Sequence, residues 1–193
     1  MIKLDDWAVH VIMQKILDAQ DRGNLMTQSF QPSSSSAAHA FDFWIGDWVI
    51  QQRILRQDGT WLRSEAKTAV SPVLNGSALI EHWEGTVEFF WEGMKAPEKM
   101  KGLSVRAYDP QADKWYIHWM DSRTPRFGEP YVGNFDQDQG QFYKEWQTPQ
   151  GKRLGRITFS NITLNSVVWD LAISSDEGQT WTSLWIMEMS RSS

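Results

Sequence analysis

The chain has 193 residues, a net charge of -5 and no cysteine. That length supports one domain with a sizeable core, and the missing cysteine removes disulfides, thiol nucleophiles and thiolate metal sites together. An acidic chain without a Lys/Arg run lacks the electrostatic footprint for nucleic acid or an anionic membrane surface, and no stretch reaches the roughly 20 apolar residues of a membrane helix.

Residues 5–22 read as a helix. Asp5 or Asp6 can cap it, Gly23-Asn24 can end it, and Leu4, Trp7, Ala8, Val11, Ile12, Ile16 and Ala19 recur at helical spacing. The early acids interrupt any secretory-signal pattern, which with the absent cysteines points to a cytoplasmic location. Residues 27–40, with Pro32 and four consecutive serines, read as a loose linker. The expected organisation is therefore 1–40, helix and flexible linker, and 41–193, a β domain. The helix's apolar face could close over that domain as a lid or dock on a second copy as a homodimer contact.

From Phe41 onward short runs of β-branched and aromatic residues alternate with turn signals. Trp48–Arg56 passes through Asp58-Gly59 into Trp61–Val70, a strong hairpin signal. Further strands are expected at 78–85, 101–108, 114–120, 130–135, 141–147, 154–162, 167–174 and 180–190. About ten strands with short connections and no intervening helix favour sequential antiparallel pairing. The expected fold is all-β: an up-and-down barrel, closed because closure removes both sheet edges, with a two-sheet sandwich as the alternative. The 12 tryptophans spread from Trp7 to Trp185 suit an aromatic core or an aromatic-lined cavity, which in a barrel share one space.

Gly46-Asp47-Trp48, preceded by Phe41-Asp42-Phe43-Trp44-Ile45, resembles the first signature of lipocalins and related calycins. In that superfamily the tryptophan plugs the closed barrel end and a basic residue from the last strand stacks across it; Arg191 is the matching candidate here. The stretch from Phe41 to Arg191 also resembles an uncharacterised bacterial family of lipocalin-like proteins with an F-D-F-x-x-G-x-W opening segment. Ala78–Gly85, Lys114-Trp115-x-x-x-Trp119-x-Asp121 and the final D-x-G-x-T-W turn carry that likeness. Fatty-acid-binding proteins place two helices between strands one and two, where this chain has Asp58-Gly59. Ser174–Trp181 matches the Asp-box pattern S-x-D-x-G-x-T-W and reads as a hairpin turn, since a single copy builds no propeller.

The chemical motifs are mostly negative. No G-x-S-x-G, P-loop or dinucleotide fingerprint occurs. His82 and Glu84 share a strand face without further converging ligands, so neither a metal nor a cofactor is expected. Leu79, Glu81 and Trp83 share the other face; if it points inward, Glu81 is a buried carboxylate, with Arg106 or Arg156 as the partner that would hold it ionised. Tyr116 and His118 alternate with Trp115, Ile117 and Trp119. Glu81, His118 and Tyr116 are thus the candidates for proton transfer. Trp83, Arg106, Trp115, Trp119, Arg156, Trp169, Trp185 and Met187 are the candidates for contacting a guest. Three readings follow: binding of a small apolar or aromatic molecule in the barrel; a cofactor-free cyclase or isomerase in the same cavity, which the calycin resemblance permits; and an interaction module with a filled barrel and helix-mediated dimerisation.

Overall fold

A computed structural model of the chain describes residues 36–148 and 151–192. The helix expected at 5–22 lies outside them, as does most of the expected linker. Ten antiparallel strands follow in chain order: β1 Gly46–Leu55, β2 Trp61–Val73, β3 Ala78–Val87, β4 Glu98–Asp109, β5 Lys114–Asp121, β6 Tyr131–Asp136, β7 Gln139–Thr148, β8 Gly151–Ser160, β9 Ser166–Ser174 and β10 Thr182–Arg191. Each pairs with its chain neighbours, and β1 pairs with β10 from Trp48↔Arg191 to Ile54↔Trp185. The barrel is closed, which disposes of the sandwich. The Asp58-Gly59 turn forms as its sequence dictates. Gly59 has a positive φ of 82°, and the Asp58 carboxylate accepts from the Thr60 amide at 2.9 Å.

Closure is fastened at the meeting of the chain's first and last strands. The Arg191 guanidinium lies 4.0 Å from the Trp48 ring centroid. It donates to the carbonyls of Ile45 and Phe43, and through Nε to that of Leu164 at 3.1 Å. The Trp48 indole donates to the Trp44 carbonyl at 2.8 Å. Gly46 is required at this junction: its φ is +119°, and a Cβ there would run into the Arg191 guanidinium.

The interior has two unlike halves. At the end where β1 begins, the segment with 3-10 turns at Ser36–His39 and Asp42–Trp44 carries Phe41 and Trp44 into the barrel. Phe41, fully buried, meets Trp115, Phe135 and Phe159 edge-on at centroid distances of 5.0, 4.8 and 5.1 Å. Trp44 stacks on Trp48 at 5.6 Å. Each such pair contributes about 0.5–1.5 kcal/mol beyond the area it buries. This end is a packed plug, and its residues 36–39, read from sequence as linker, form part of it. The opposite end, ringed by the β1–β2, β3–β4, β5–β6 and β9–β10 connections, retains open space.

The β9–β10 turn is held by its own side chains. Asp176 accepts from Ser174 Oγ, the Thr180 amide and Thr180 Oγ1, and Trp181 Nε1 donates to the Gly178 carbonyl. The hydrogen bonds from Thr180 and Ser174 lower the Asp176 carboxyl to about 2.

Two predictions follow from this framework. Arg191→Ala lowers unfolding stability by about 2–3 kcal/mol, read as a reduced urea midpoint at unchanged slope. Arg191→Lys recovers less than half of it, because an ammonium cannot reach three carbonyls and stack at once. Because Asp176 is depressed in the fold, its contribution is fully present above the ordinary aspartate range and is lost as the pH falls toward about 2. The urea-midpoint difference between native protein and Asp176→Asn should therefore shrink across that acid window.

Candidate functional site

Alternation along the strands decides which side chains reach the interior. On β3 the inward face is Leu79, Glu81 and Trp83, all buried, while His82 and Glu84 are exposed. On β4 it is Gly102, Ser104 and Arg106, and on β5 Trp115, Ile117 and Trp119. Ser104 lies directly across from Glu81, and Gly102 from Trp83. Gly102 has a steric reason to be glycine: the Trp119 indole covers it so closely that a Cβ would overlap the ring.

A cavity of about 470 Å³ occupies the end of the barrel away from the plug. Its walls are aromatic and centred on Trp185, whose ring meets those of Trp83, Trp169 and Phe89 at 5.3, 5.2 and 5.1 Å. The Trp185 indole donates to Gln52 Oε1 at 2.9 Å, and the Gln52 amide donates to Ser64 Oγ and the Thr86 carbonyl. Trp185 is therefore locked by a buried polar relay. A β-bulge between Ser183 and Trp185 breaks the alternation of β10, so that Leu184 and Trp185 both line the cavity.

The floor is polar. Arg106 Nη2 donates to Glu81 Oε2 at 2.7 Å, and Thr68 Oγ1 donates to Glu81 Oε1 at 2.9 Å. Both side chains of the ion pair are almost wholly buried, 3% and 4% exposed. The guanidinium sits against Trp44, Phe41 and Phe159, 5.2, 5.4 and 5.9 Å from their centroids. Five buried polar atoms of cavity-lining residues have no hydrogen-bond partner among the described residues: Trp44 Nε1, Trp83 Nε1, Ser104 Oγ, and Arg106 Nε and Nη1. A buried group left in that state costs about 1–3 kcal/mol.

The mouth is built from connections. Phe89, Trp91 and Glu92 come from the β3–β4 connection, and Gly128 and Glu129 from the β5–β6 connection. Burial lowers the Lys144 ammonium, with Glu129 opposing, and burial together with Glu92 raises the Tyr131 hydroxyl.

Of the residues expected from sequence, the structure brings Glu81, Trp83, Arg106, Trp119, Trp169, Trp185 and Met187 together around this cavity. Four stand elsewhere. Trp115 faces inward but at the plugged end, where its indole donates to the Ala37 carbonyl at 2.9 Å. Tyr116 and His118 occupy the face of β5 opposite Ile117 and Trp119, and the His118 ring lies 5.8 Å from Phe127. Arg156 lies opposite Ile157 on β8, its guanidinium 4.2 Å from the Trp181 ring, so Arg106 is the partner of Glu81. Sequence reasoning missed Phe89, Trp91, Tyr131, Trp146 and Leu184 as lining residues; the aromatic run Phe89-Phe90-Trp91 was the signal available. Among the described residues no cluster of three metal-ligating side chains occurs, and no helix is long and apolar enough to cross a membrane.

No protein-family model and no curated protein matches the chain. Among solved structures it is similar to an S-type phycobiliprotein lyase from Guillardia theta, with a TM-score of 0.49, 11% identity and coverage of 79% of this chain and 90% of that one. It is also similar to a DUF3598-family protein of unknown function from Nostoc punctiforme, with a TM-score of 0.27, 9% identity and coverage of 82% and 100%.

The ion pair yields a stability test. Arg106→Met leaves the buried Glu81 carboxylate without its counter-charge, with Thr68 as its remaining side-chain donor, and costs about 3–5 kcal/mol. The double substitution Glu81→Leu with Arg106→Met restores most of that loss, because a buried pair and an apolar replacement are nearly equivalent in stability. Urea unfolding of the three proteins checks both halves.

Proposed function

We propose that this protein binds one small apolar or aromatic molecule in the barrel cavity. The observation that carries the reading is the cavity of about 470 Å³, walled by Trp83, Trp119, Trp169 and Trp185 with Met187 beside them. That size and lining are those of a small-molecule site. Indole walls offer large, rigid, apolar contact area, and methionine adapts to an irregular guest. Trp185 is fixed before any guest arrives, which reduces the ordering that binding would require. The reading also agrees with the resemblance of Gly46-Asp47-Trp48 and Arg191 to the calycin signature.

Binding is favoured over the cyclase or isomerase reading by the state of Glu81. One of its carboxylate oxygens is engaged by Arg106 and the other by Thr68. With Tyr116 and His118 on the opposite strand face, no second proton-transfer group from the sequence-based set accompanies it at the cavity. A filled interaction module fits the plugged half of the barrel but not the half with open volume.

The test is a titration of tryptophan emission with naphthalene. Saturable quenching with one molecule per chain is expected, and Leu171→Trp, which fills the cavity from β9, should weaken it roughly 10-fold or more while leaving the urea midpoint near its native value. Native mass spectrometry of freshly purified protein should detect a small molecule that leaves on desolvation. Absence of saturable quenching, or equal affinity in Leu171→Trp, overturns the proposal.

A further inference from the structure

We infer that Lys144 holds the guest covalently: its amine condenses with an aldehyde carried by an apolar or conjugated molecule in the cavity, forming a Schiff base. This rests on the binding reading above and adds the chemical class of the guest.

A lysine on the inward face of a barrel strand is an uncommon placement, because the charge ordinarily points to water. The inward face of β7 is Phe142, Lys144 and Trp146. Phe142 is fully buried against Phe41 in the plug, and Lys144 and Trp146 both line the cavity. The Lys144 amine lies among other lining residues. Its Nζ is 5.8 Å from the Tyr131 ring centroid and 3.6 Å from where a Cβ on Gly128 would stand. It makes no hydrogen bond or ion pair with any described residue, and it is not among the sealed polar atoms of the wall, so the amine is open to a reactant.

The charges around it set the class of that reactant. Arg106 is engaged by Glu81 at 2.7 Å, and Glu92 by Arg123 at 2.9 Å. Lys144 and Glu129 remain, near enough to feel each other's charge without pairing. Burial outweighs that carboxylate and holds the amine below the ordinary lysine range, which enlarges the neutral, nucleophilic fraction. A carboxylate guest would meet Glu129 as well as Lys144 and leave an excess negative charge in a cavity walled by indoles. An aldehyde enters uncharged. The amine lone pair bonds to the carbonyl carbon, giving a carbinolamine. The oxygen then departs as water with both amine protons as the C=N bond forms. No oxidant or reductant is consumed, and Glu129 is the counter-charge for the imine when it is protonated.

Naphthaldehyde tests this on the native protein at neutral pH, with cyanoborohydride present to reduce any imine to a stable secondary amine before peptide mass mapping. One adduct per chain is expected at Lys144, roughly 10-fold more abundant than at any other lysine, because the cavity holds the aldehyde beside the amine. Excess naphthalene should suppress that adduct by occupying the same space. Lys144→Arg should lose it and keep only the sparse labelling of the other lysines. Labelling spread evenly over the lysines, or a Lys144 adduct that naphthalene does not suppress, overturns the inference. Saturable quenching by naphthalene without a Lys144 adduct overturns the inference and leaves the binding reading intact. Neither quenching nor adduct overturns both.

Discussion

The ladder between β1 and β10 is the constraint on which the molecule depends. An open meander of ten strands would expose two rows of unpaired backbone groups and would have no inside. Pairing Trp48 through Ile54 with Arg191 through Trp185 removes both edges and assigns every alternate side chain to one shared interior. Arg191 binds two carbonyls of the segment before β1 and one of the β8–β9 connection while covering the Trp48 ring, so the junction is locked in position as well as paired.

Within that interior the two halves serve different ends. The Phe41 cluster is closely packed, with Phe41, Trp44, Phe142 and Phe159 all fully buried. Beyond it lies the cavity, and the Glu81–Arg106 pair sits where the two meet, with Trp44 and Phe159 on one side and the open volume on the other. A buried ion pair of this kind adds little stability over apolar residues in its place.

The strand series was largely legible in the sequence because it is written in local chemistry. Asp58-Gly59 and the Ser174–Trp181 box mark turns whose geometry depends on a few adjacent residues. Alternation correctly grouped Leu79, Glu81 and Trp83. It could not supply height along the barrel, so Trp115 and Trp119, on one face of one strand, fell to the plug and the cavity respectively. Nor could it decide between the faces of β5 and β8, where His118 and Arg156 turned outward. Phe89 and Trp91 reach the cavity from a connection that has no period, and Leu184 enters it through a bulge that breaks one.

The ladder between β5 and β6 is the shortest in the barrel: only Trp115, Tyr116 and Ile117 pair, with Gly133, Val132 and Tyr131. Beyond Ile117 the two strands part, and the residues bordering the gap, Trp119, Gly128, Glu129 and Tyr131, are ones that also line the cavity. Widening the barrel along this seam sacrifices fewer backbone bonds than widening it anywhere else. The seam is thus the line along which the wall has the least backbone pairing to lose, as a coat is loosest at its shortest row of buttons.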